Sequence, residues 1–203
     1  MTTLGAVLVG GASKRFGSNK ADAQFDGVTL LDHQLNILRG VPVDCLAYVG
    51  GERRLAVDQL ADHVNDAIVG VDTTERSSLL GILAALTSAR DRGCESAIIL
   101  GCDVPLVKRH TLQQLVAALS DGVSSLDVAV ASSGADRDHW SIMAANVSAL
   151  APLRAAYERG ERAVHRAVST MRVARWQVNE DEAVNINDRR TLTDIAATLR
   201  SAG

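Results

Sequence analysis

Apolar residues follow two different spacings along this chain. Short, mostly apolar runs bounded by turn-forming residues predict buried strands, whereas longer stretches with apolar residues every three to four positions predict amphipathic helices. Strands are predicted over residues 4–9, 43–49, 65–69, 96–101, 127–131, 141–145 and 172–177. Helices are predicted over residues 30–38, 55–60, 79–90, 111–119, 147–156, 162–169 and 189–199.

The order of these elements predicts the fold class. Strands and helices alternate over most of the chain, which is typical of an α/β fold with a mainly parallel sheet and helices on both faces. The alternation is less regular after residue 120, and we interpret residues 121–203 as a substrate-side elaboration of the same domain. In open α/β sheets, ligands bind beyond the carboxyl ends of the strands, so the candidate chemistry is sought there.

The loop after the first predicted strand is rich in glycine and in positive charge. Residues 10–20 contain three glycines and three cations. Backbone N–H groups in such a loop can form an anion-binding concavity, to which Arg15 and Lys20 add positive charge. The glycine spacing fits neither a P-loop nor a dinucleotide fingerprint. The loop therefore predicts a polyphosphate site, and a glycine-rich turn without a ligand is the alternative.

A carboxylate follows the buried strand predicted over residues 96–101, in the segment Cys102-Asp103-Val104-Pro105. An aspartate there suits Mg²⁺, which prefers few carboxylates together with phosphate oxygens and water. The alternative is a turn aspartate that caps the helix near Thr111. Cys102 has no obvious histidine partner, and we interpret it as a packing residue and not as a nucleophile.

Two asparagines, Asn185 and Asn187, come just before the last predicted helix. In an extended segment their side chains would point the same way, because side chains alternate with a period of two. Their oxygens could then bind Mg²⁺ or a substrate. The alternative is a helix N-cap, which accounts for Asp188 better than for the two asparagines.

Two further polar segments are candidate ligand contacts. Arg137-Asp138-His139 precedes a predicted strand and is either a pocket edge that recognises a polar acceptor or a plain polar loop. Arg162, at the start of a short predicted helix, either binds an anion or lies on a solvated helix face. Each segment alone leaves both interpretations open.

The composition narrows the class of protein. Apolar residues make up 47% of the 203 residues and aromatic residues only 3%, so the core must be aliphatic. A formal net charge of −3 argues against a general nucleic-acid-binding or membrane-surface protein. The chain lacks the pattern of a signal peptide and any apolar run near the ~20 residues of a membrane span. The three cysteines lack metal-site spacing and suit a reducing compartment, so we expect a cytoplasmic protein with no nucleic-acid or membrane partner.

Taken in order, these segments resemble the molybdenum cofactor guanylyltransferases, within the wider nucleotidyltransferase group. The family's opening motif, L-A-G-G-x-x-x-R-M-G-x-D-K, is matched over residues 8–20. In this chain Val9, Phe16 and Asn19 replace the Ala, Met and Asp of that motif. Together with the later motifs, the matches span nearly the whole chain.

The later family motifs are matched in the same order. Segments similar to C-D-x-P, R-D-H-P, G-E-R and N-[VI]-N-T-P lie at residues 102–105, 137–140, 160–162 and 185–189. Trp140 stands in place of the proline of the second motif, and Asp188-Arg189 stands in place of the final Thr-Pro. The family's G-P-L-A-G segment is poorly kept, because only its leucine and last glycine are matched, by Leu79 and Gly81.

The resemblance implies a Rossmann-like three-layer nucleotidyltransferase fold. Residues 1–120 would form the nucleotide-binding part, and residues 121–203 the acceptor-side part, of a single domain. The implied reaction joins GMP from GTP to molybdopterin and releases pyrophosphate, with Mg²⁺ as the cofactor. The implied protein partners are molybdenum-insertion proteins and molybdoenzyme chaperones, and we expect a monomer.

The resemblance also implies roles for individual residues. Lys20 would bind phosphate, and Asp103 would bind Mg²⁺ and GTP as the metal ligand. The positive charge of the loop adds Arg15 to these two as a catalytic residue. The nucleotide contacts would be Leu8, Val9, Gly10, Gly11, Lys20, Asp72, Gly81 and Asp103. The acceptor contacts would be Arg137, Asp138, His139, Arg162, Asn185 and Asn187. Asp72 follows the family pattern only loosely, because the loop after it is shorter here.

Two alternative functions stay open. One is a sister enzyme, either a cytidylyltransferase acting on molybdopterin or a transferase for another phosphorylated acceptor. Arg137-Asp138-His139 favours the guanine enzyme, because it resembles that branch. The other is a nucleotide-binding regulator that has lost catalysis, which the departures at Val9, Asn19 and Ser77-Ser78 suggest.

Overall fold

The computed structural model describes residues 1–9, 19–54, 56–57, 59–66, 77–120, 126–135 and 137–201. Its strands are β1 (Thr3–Leu8), β2 (Gln24–Phe25), β3 (Val28–Thr29), β4 (Cys45–Val49), β5 (Asp62–Val64), β6 (Ser96–Gly101), β7 (Val128–Ser133), β8 (Arg137–Asn146) and β9 (Val173–Gln177). Its helices are α1 (Leu30–Arg39), α2 (Ser78–Asp91), α3 (Arg109–Ser120), α4 (Leu150–Glu158), α5 (Val164–Ala167) and α6 (Arg189–Ser201). Short 3₁₀ turns cover Lys20–Asp22, Val147–Ala149 and Glu180–Ala183.

The main sheet has the strand order β5-β4-β1-β6-β8-β7-β9, and β2 and β3 form a separate hairpin. β8 is antiparallel to both of its neighbours, β6 and β7, whereas the other adjacent strands are parallel. The last residues of β1, β4 and β6 (Leu8, Val49 and Gly101) therefore lie at one edge, called the site edge below. β8 starts at this same edge. The arrangement confirms the mainly parallel α/β fold predicted from the sequence.

Helices cover both faces of the sheet, as the strand pattern predicts. In β6, Ala97 and Ile99 belong to the aliphatic cluster under α2, α4 and α5. Ile98 and Leu100 belong to the opposite cluster, under α1 and α3. A strand that is buried on both faces needs apolar residues at every position, which explains its unbroken apolar run. No helix in the described part of the chain is long and apolar enough to cross a membrane.

The sequence-based boundaries fail mainly between β4 and α2. Instead of the helix predicted over 55–60, residues 56–57 and 59–60 form turns, and residues 55 and 58 lie outside the described residues. Val57 N–H bonds the Arg54 carbonyl (2.9 Å), a turn contact between residues three apart. The strand predicted over 65–69 is wrong at residues 65–66, which follow the observed strand β5 (Asp62–Val64), and residues 67–69 lie outside the described residues. Consecutive turns can also place apolar residues three to four positions apart, so over a short segment this spacing does not distinguish turns from a helix.

Candidate active site

Lys20 and Asp103 meet at the site edge, although 83 positions separate them in the sequence. The Lys20 Nζ donates to Asp103 Oδ2 at 3.0 Å. β1 and β6 are adjacent, with Leu8 opposite Gly101, so the turns that follow these strands are neighbours. The two side chains are only 13% and 24% exposed. The structure therefore brings together the cation and the carboxylate that the sequence analysis singled out.

Lys20 is held by a tight 3₁₀ turn. Asn19 is the N-cap of this turn, and its side chain accepts a hydrogen bond from the Ala21 backbone N–H (3.2 Å). Ala21 itself is fully buried, and the Ala23 N–H donates to the Lys20 carbonyl (3.1 Å). The departure from the family motif at Asn19 thus keeps an oxygen acceptor for the cap while it removes a negative charge.

Three contacts fix the backbone of the turn that carries Asp103. The Cys102 N–H donates to the Leu8 carbonyl (3.1 Å), and the Ile186 N–H donates to the Asp103 carbonyl (2.8 Å). The Pro105 carbonyl accepts a hydrogen bond from His33 Nε2 (2.8 Å). Because a carbonyl oxygen only accepts, the proton in this contact belongs to the histidine. These contacts orient Asp103 towards Lys20.

A glycine makes room for the Asp103 carboxylate. A Cβ placed at Gly101 would lie 2.6 Å from Asp103 Oδ1 and 3.0 Å from the Ser141 Cβ. Any other residue at Gly101 would therefore displace the carboxylate. The alternative in which Asp103 caps a helix near Thr111 is not supported. Asp103 contacts Lys20, and α3 begins earlier, at Arg109.

The two asparagines flank the residue that is hydrogen-bonded to Asp103. Asn185 and Asn187 are exposed, whereas Ile186 between them is buried in a small apolar cluster. This alternation agrees with the predicted extended segment. Asp188 Oδ1 accepts the Thr191 N–H (2.8 Å), which holds the pKa of Asp188 below its ordinary value. Asp188 is therefore the helix cap, and the asparagines stay candidate ligand contacts.

Arg137-Asp138-His139 lies on β8, beyond the end of β6. β8 starts at Arg137, but its pairing with β6 starts only at Ile142. Asp138 makes a two-pronged ion pair with Arg175 (2.9 and 3.1 Å), and His139 Nε2 hydrogen-bonds the Ser133 hydroxyl (2.8 Å). Burial, reinforced by the charge of Arg137, lowers the pKa of His139. The imidazole is therefore neutral at pH 7.

Arg162 lies at the turn between α4 and α5. Its Nη1 donates to the carbonyls of Tyr157 (2.8 Å) and Glu161 (3.0 Å), and its guanidinium lies 3.9 Å from the centroid of the Tyr157 ring. Hydrogen bonds from Arg166 and then from the Ala163 N–H lower the pKa of Glu161 to about 2. These contacts stabilise the turn, and the acceptor-binding role of Arg162 stays a prediction.

The remaining predicted site residues divide into two groups. Leu8 and Val9 lie at the end of β1, and a Cβ at Gly81 would be 3.4 Å from the Leu8 side chain, so Gly81 lets α2 pack closely against β1. The others lie outside the described residues: Gly10, Gly11, Arg15 and Asp72. Their predicted roles stay predictions.

The sequence analysis missed candidate residues around β4 and β5. Because β5 ends at Val64, the carboxylate that directly follows it is the half-buried Asp66, which the longer predicted strand had covered. An ion pair between Asp22 and Arg54 also joins the loop after β4 to the 3₁₀ turn that begins at Lys20. The signal that could have found Asp66 is the same strand-end rule, applied to the observed boundary. Burial raises the pKa of Cys102 to about 12, in agreement with its interpretation as a packing residue.

The residues around Asp103 suit Mg²⁺ better than a metal held by the protein alone. No group of three or more His, Cys, Asp or Glu side chains in the described ranges is arranged to hold a metal. Mg²⁺ commonly uses one or two carboxylates and completes its shell with substrate phosphates and water. Asp103 can supply one carboxylate. The exposed Asn185 and Asn187 flank Ile186, whose N–H bonds Asp103, and their amide oxygens are further candidate ligands.

Comparison with known proteins gives a consistent result. Residues 5–174 match the MobA-like NTP transferase domain. A relative from Opitutus terrae, named "Probable molybdenum cofactor guanylyltransferase", is 28% identical over 197 residues, which cover 87% of this chain and 91% of the relative. The molybdenum cofactor guanylyltransferase of Rhodobacter capsulatus is 23% identical over 202 residues, which cover 98% of this chain and 98% of the relative.

Solved structures share the fold. The crystal structure of molybdopterin-guanine dinucleotide biosynthesis protein A from Archaeoglobus fulgidus has a TM-score of 0.75 at 22% identity, with 98% of this chain and all of that chain covered. The 2-C-methyl-D-erythritol 4-phosphate cytidylyltransferase from Thermus thermophilus has a TM-score of 0.69 at 14% identity, with 96% of this chain and 98% of that chain covered. Because transferases of different nucleotides share this structure, the similarity supports the fold and does not identify the nucleotide base.

Proposed function

Because the chain belongs to the MobA-like NTP transferase family, we propose that it transfers GMP from GTP to molybdopterin and releases pyrophosphate. The product would be molybdopterin guanine dinucleotide. The observation that carries the proposal is the contact between Lys20, in the 3₁₀ turn that follows β1 in the chain, and Asp103, in the turn after β6. The curated relatives are named for this activity.

The proposed mechanism relies on positioning and on neutralisation of charge. The phosphate of molybdopterin is already an anionic nucleophile at neutral pH, so the site needs no strong general base. This mechanism does not use His139 as a base, and in the described structure His139 bonds the Ser133 hydroxyl. Mg²⁺ bound at Asp103 would neutralise charge on the α-phosphate and on the leaving pyrophosphate.

Lys20 and Asp103 neutralise one another in the protein without ligands. A triphosphate would provide a new partner for Lys20, and Mg²⁺ would provide one for Asp103. Neither ligand alone can replace both partners, and a half-buried charge without a partner is unfavourable. The geometry therefore supports joint binding of the nucleotide and the metal.

The proposal is tested by Lys20→Met and Asp103→Asn, assayed for pyrophosphate release from GTP and molybdopterin. We expect each variant to lose ~10²–10³-fold in kcat/KM, the typical effect of removing one electrostatic contact to a developing charge. Lys108→Met is the matched lysine control, because Lys108 is 65% exposed and lies 3.9 Å from a different carboxylate, Glu182. Near-normal turnover in either site variant would contradict the proposal.

The cytidylyltransferase alternative is tested by thermal shift with Mg²⁺ and either GTP or CTP. GTP should raise the melting temperature, and CTP should not. The regulator alternative predicts nucleotide binding without pyrophosphate release, so measurable turnover excludes it. The Mg²⁺ requirement, the cytoplasmic location, the monomeric state and the protein partners belong to the same proposal and stay predictions.

A further inference from the structure

We propose that Asp22 and Arg54 are positioning residues that hold Lys20 in place for the nucleotide. This inference rests on the proposed nucleotide-binding function of the site. The Arg54 Nε donates to Asp22 Oδ1 at 2.7 Å, and its Nη2 donates to Asp22 Oδ2 at 3.3 Å. Asp22 is the last residue of the 3₁₀ turn that begins with Lys20. The ion pair therefore ties the loop after β4 to the turn that carries Lys20.

Arg54 is itself well anchored. Its backbone N–H donates to the Tyr48 hydroxyl (2.8 Å), and its Nη1 donates to the Glu52 carbonyl (3.0 Å). The Tyr48 ring is fully buried, and the Arg54 side chain is only 14% exposed. A guanidinium that is held at its backbone and at several of its nitrogens presents a fixed fork to a carboxylate. Arg54 is thus the fixed partner, and Asp22, which is 53% exposed, is the partner that it holds.

The loop after β4 is shaped to bring Arg54 to this position. Gly50 and Gly51 have φ values of 81° and 66°, which few residues other than glycine adopt easily. They turn the chain sharply at the end of β4, and a Cβ at Gly51 would lie 3.4 Å from Val9 and 3.6 Å from Arg54 Nη1. The guanidinium therefore lies close to the end of β1, at the site edge.

A competing interpretation makes Arg54 a direct ligand of the phosphates. The two interpretations predict opposite effects for Asp22→Asn. If Arg54 binds phosphate, removal of the Asp22 charge frees the guanidinium and tightens nucleotide binding. If Arg54 positions Lys20 through Asp22, the same change weakens binding as much as Arg54→Met does. The observed two-pronged contact favours positioning, because a phosphate would have to displace Asp22.

The experiment measures the dissociation constant of Mg²⁺ and GTP, the KM and kcat of transfer, and the melting temperature of each variant. We expect Asp22→Asn and Arg54→Met each to raise the dissociation constant and KM about tenfold, the usual scale for one charge-assisted hydrogen bond. The double variant should be no weaker than either single variant, because both remove the same contact.

The matched control is another ion pair of the same type, Asp62 with Arg92 at 2.6 Å, tested as Asp62→Asn. This pair joins β5 to the end of α2 and should leave GTP binding unchanged. A merely structural role for Asp22 would lower the melting temperature without a specific change in KM. Tighter binding in Asp22→Asn, or wild-type binding in both single variants, would overturn the inference.

A measurement without nucleotide separates this inference from the proposed function. The Ala23 amide donates to the Lys20 carbonyl, so its hydrogen exchange reports on the Lys20 turn. We expect this amide to exchange about tenfold faster in Asp22→Asn and Arg54→Met than in the wild type and in Asp62→Asn. If the wild type binds no GTP, the proposed function fails, whereas unchanged exchange at Ala23 refutes the positioning role in either case.

Discussion

The two halves of the site edge use charge in different ways. On the β1–β6 side, Lys20 and Asp103 come from distant parts of the sequence and contact each other directly. On the β8–α4 side, Asp138 pairs with Arg175, and Arg162 binds backbone carbonyls and the Tyr157 ring. A cation and a carboxylate that neutralise each other can exchange partners with a metal and a phosphate. Charges bound to the backbone and to neighbouring strands stabilise local structure, so we expect the reacting phosphates at the β1–β6 side.

Among the variants that leave the charges of the site unchanged, Gly101→Ala should produce the largest effect, because it moves the Asp103 carboxylate. The added Cβ would lie 2.6 Å from Asp103 Oδ1 and would displace the carboxylate from Lys20. We expect kcat/KM for transfer to fall by ~10²-fold, as for loss of an electrostatic contact. Steady-state kinetics with GTP and molybdopterin give the measurement.

Gly5→Ala is the steric control for that variant. Its Cβ would meet the Leu46 side chain at 2.8 Å, which is a similar intrusion near the start of β1. It should cost stability, on the order of 1–3 kcal/mol for an overpacked core, and leave kcat/KM within about threefold of the wild type. Equal losses of activity in the two variants would mean that Gly101→Ala acts through folding and not through Asp103.

Arg162→Met tests the other side of the comparison. The guanidinium bonds two carbonyls and lies over the Tyr157 ring, so its loss should lower the free energy of unfolding by about 1–2 kcal/mol. Transfer activity should change much less than in the Asp103 variants. Chemical denaturation gives the stability, and the KM for molybdopterin gives the function. A large rise of that KM without loss of stability would instead support the acceptor-binding role predicted from the sequence.

A double-mutant cycle on Lys20→Met and Asp103→Asn sharpens the comparison on the β1–β6 side. Each single variant leaves one half-buried charge without its partner, and the double variant leaves none. We expect a coupling free energy of about 1 kcal/mol in urea unfolding, modest because both groups are partly exposed. A coupling near zero would mean that the contact does not neutralise the two charges, and the argument for joint binding of metal and nucleotide would fail.

The parts of the site that the sequence predicts are those that depend on strand ends. Asp103 closely follows one apolar run, and Lys20 belongs to the glycine-rich segment after another. Parallel strands bring such ends together whatever their separation in the chain. The alternating burial of Asn185, Ile186 and Asn187 is likewise predictable from the sequence, because a single apolar residue between two polar ones shows which side of an extended segment is buried. The fold class follows from the same local patterns.

The parts that the sequence could not predict depend on exact boundaries or on contacts between loops. Asp66 was missed because β5 ends earlier than its apolar pattern suggests. The Asp22–Arg54 pair joins two loops whose meeting requires the turn at Gly50 and Gly51. The contacts of Arg162 depend on how α4 ends. Periodicity carries no information on any of these, because they are set by the path of the chain between elements.

The pH dependence of stability offers the smallest and most local test, at His139 on the β8 side. Burial and the Arg137 charge lower the pKa of His139 in the folded protein, whereas the unfolded chain keeps a value of about 6.5. The unfolded state therefore binds more protons than the folded state between these two values, so stability falls as the pH drops below about 6.5 and levels off below the lowered value. Replacing His139 by Gln should remove this component, so the difference in melting temperature between the variant and the wild type should narrow or reverse from pH 7.5 to pH 5.5.

GTP binding at the β1–β6 side should keep its pH dependence in the variant, because His139 bonds Ser133 and not the Lys20–Asp103 pair. A parallel change in GTP binding would mean that the two sides of the site edge are electrostatically coupled, contrary to the comparison.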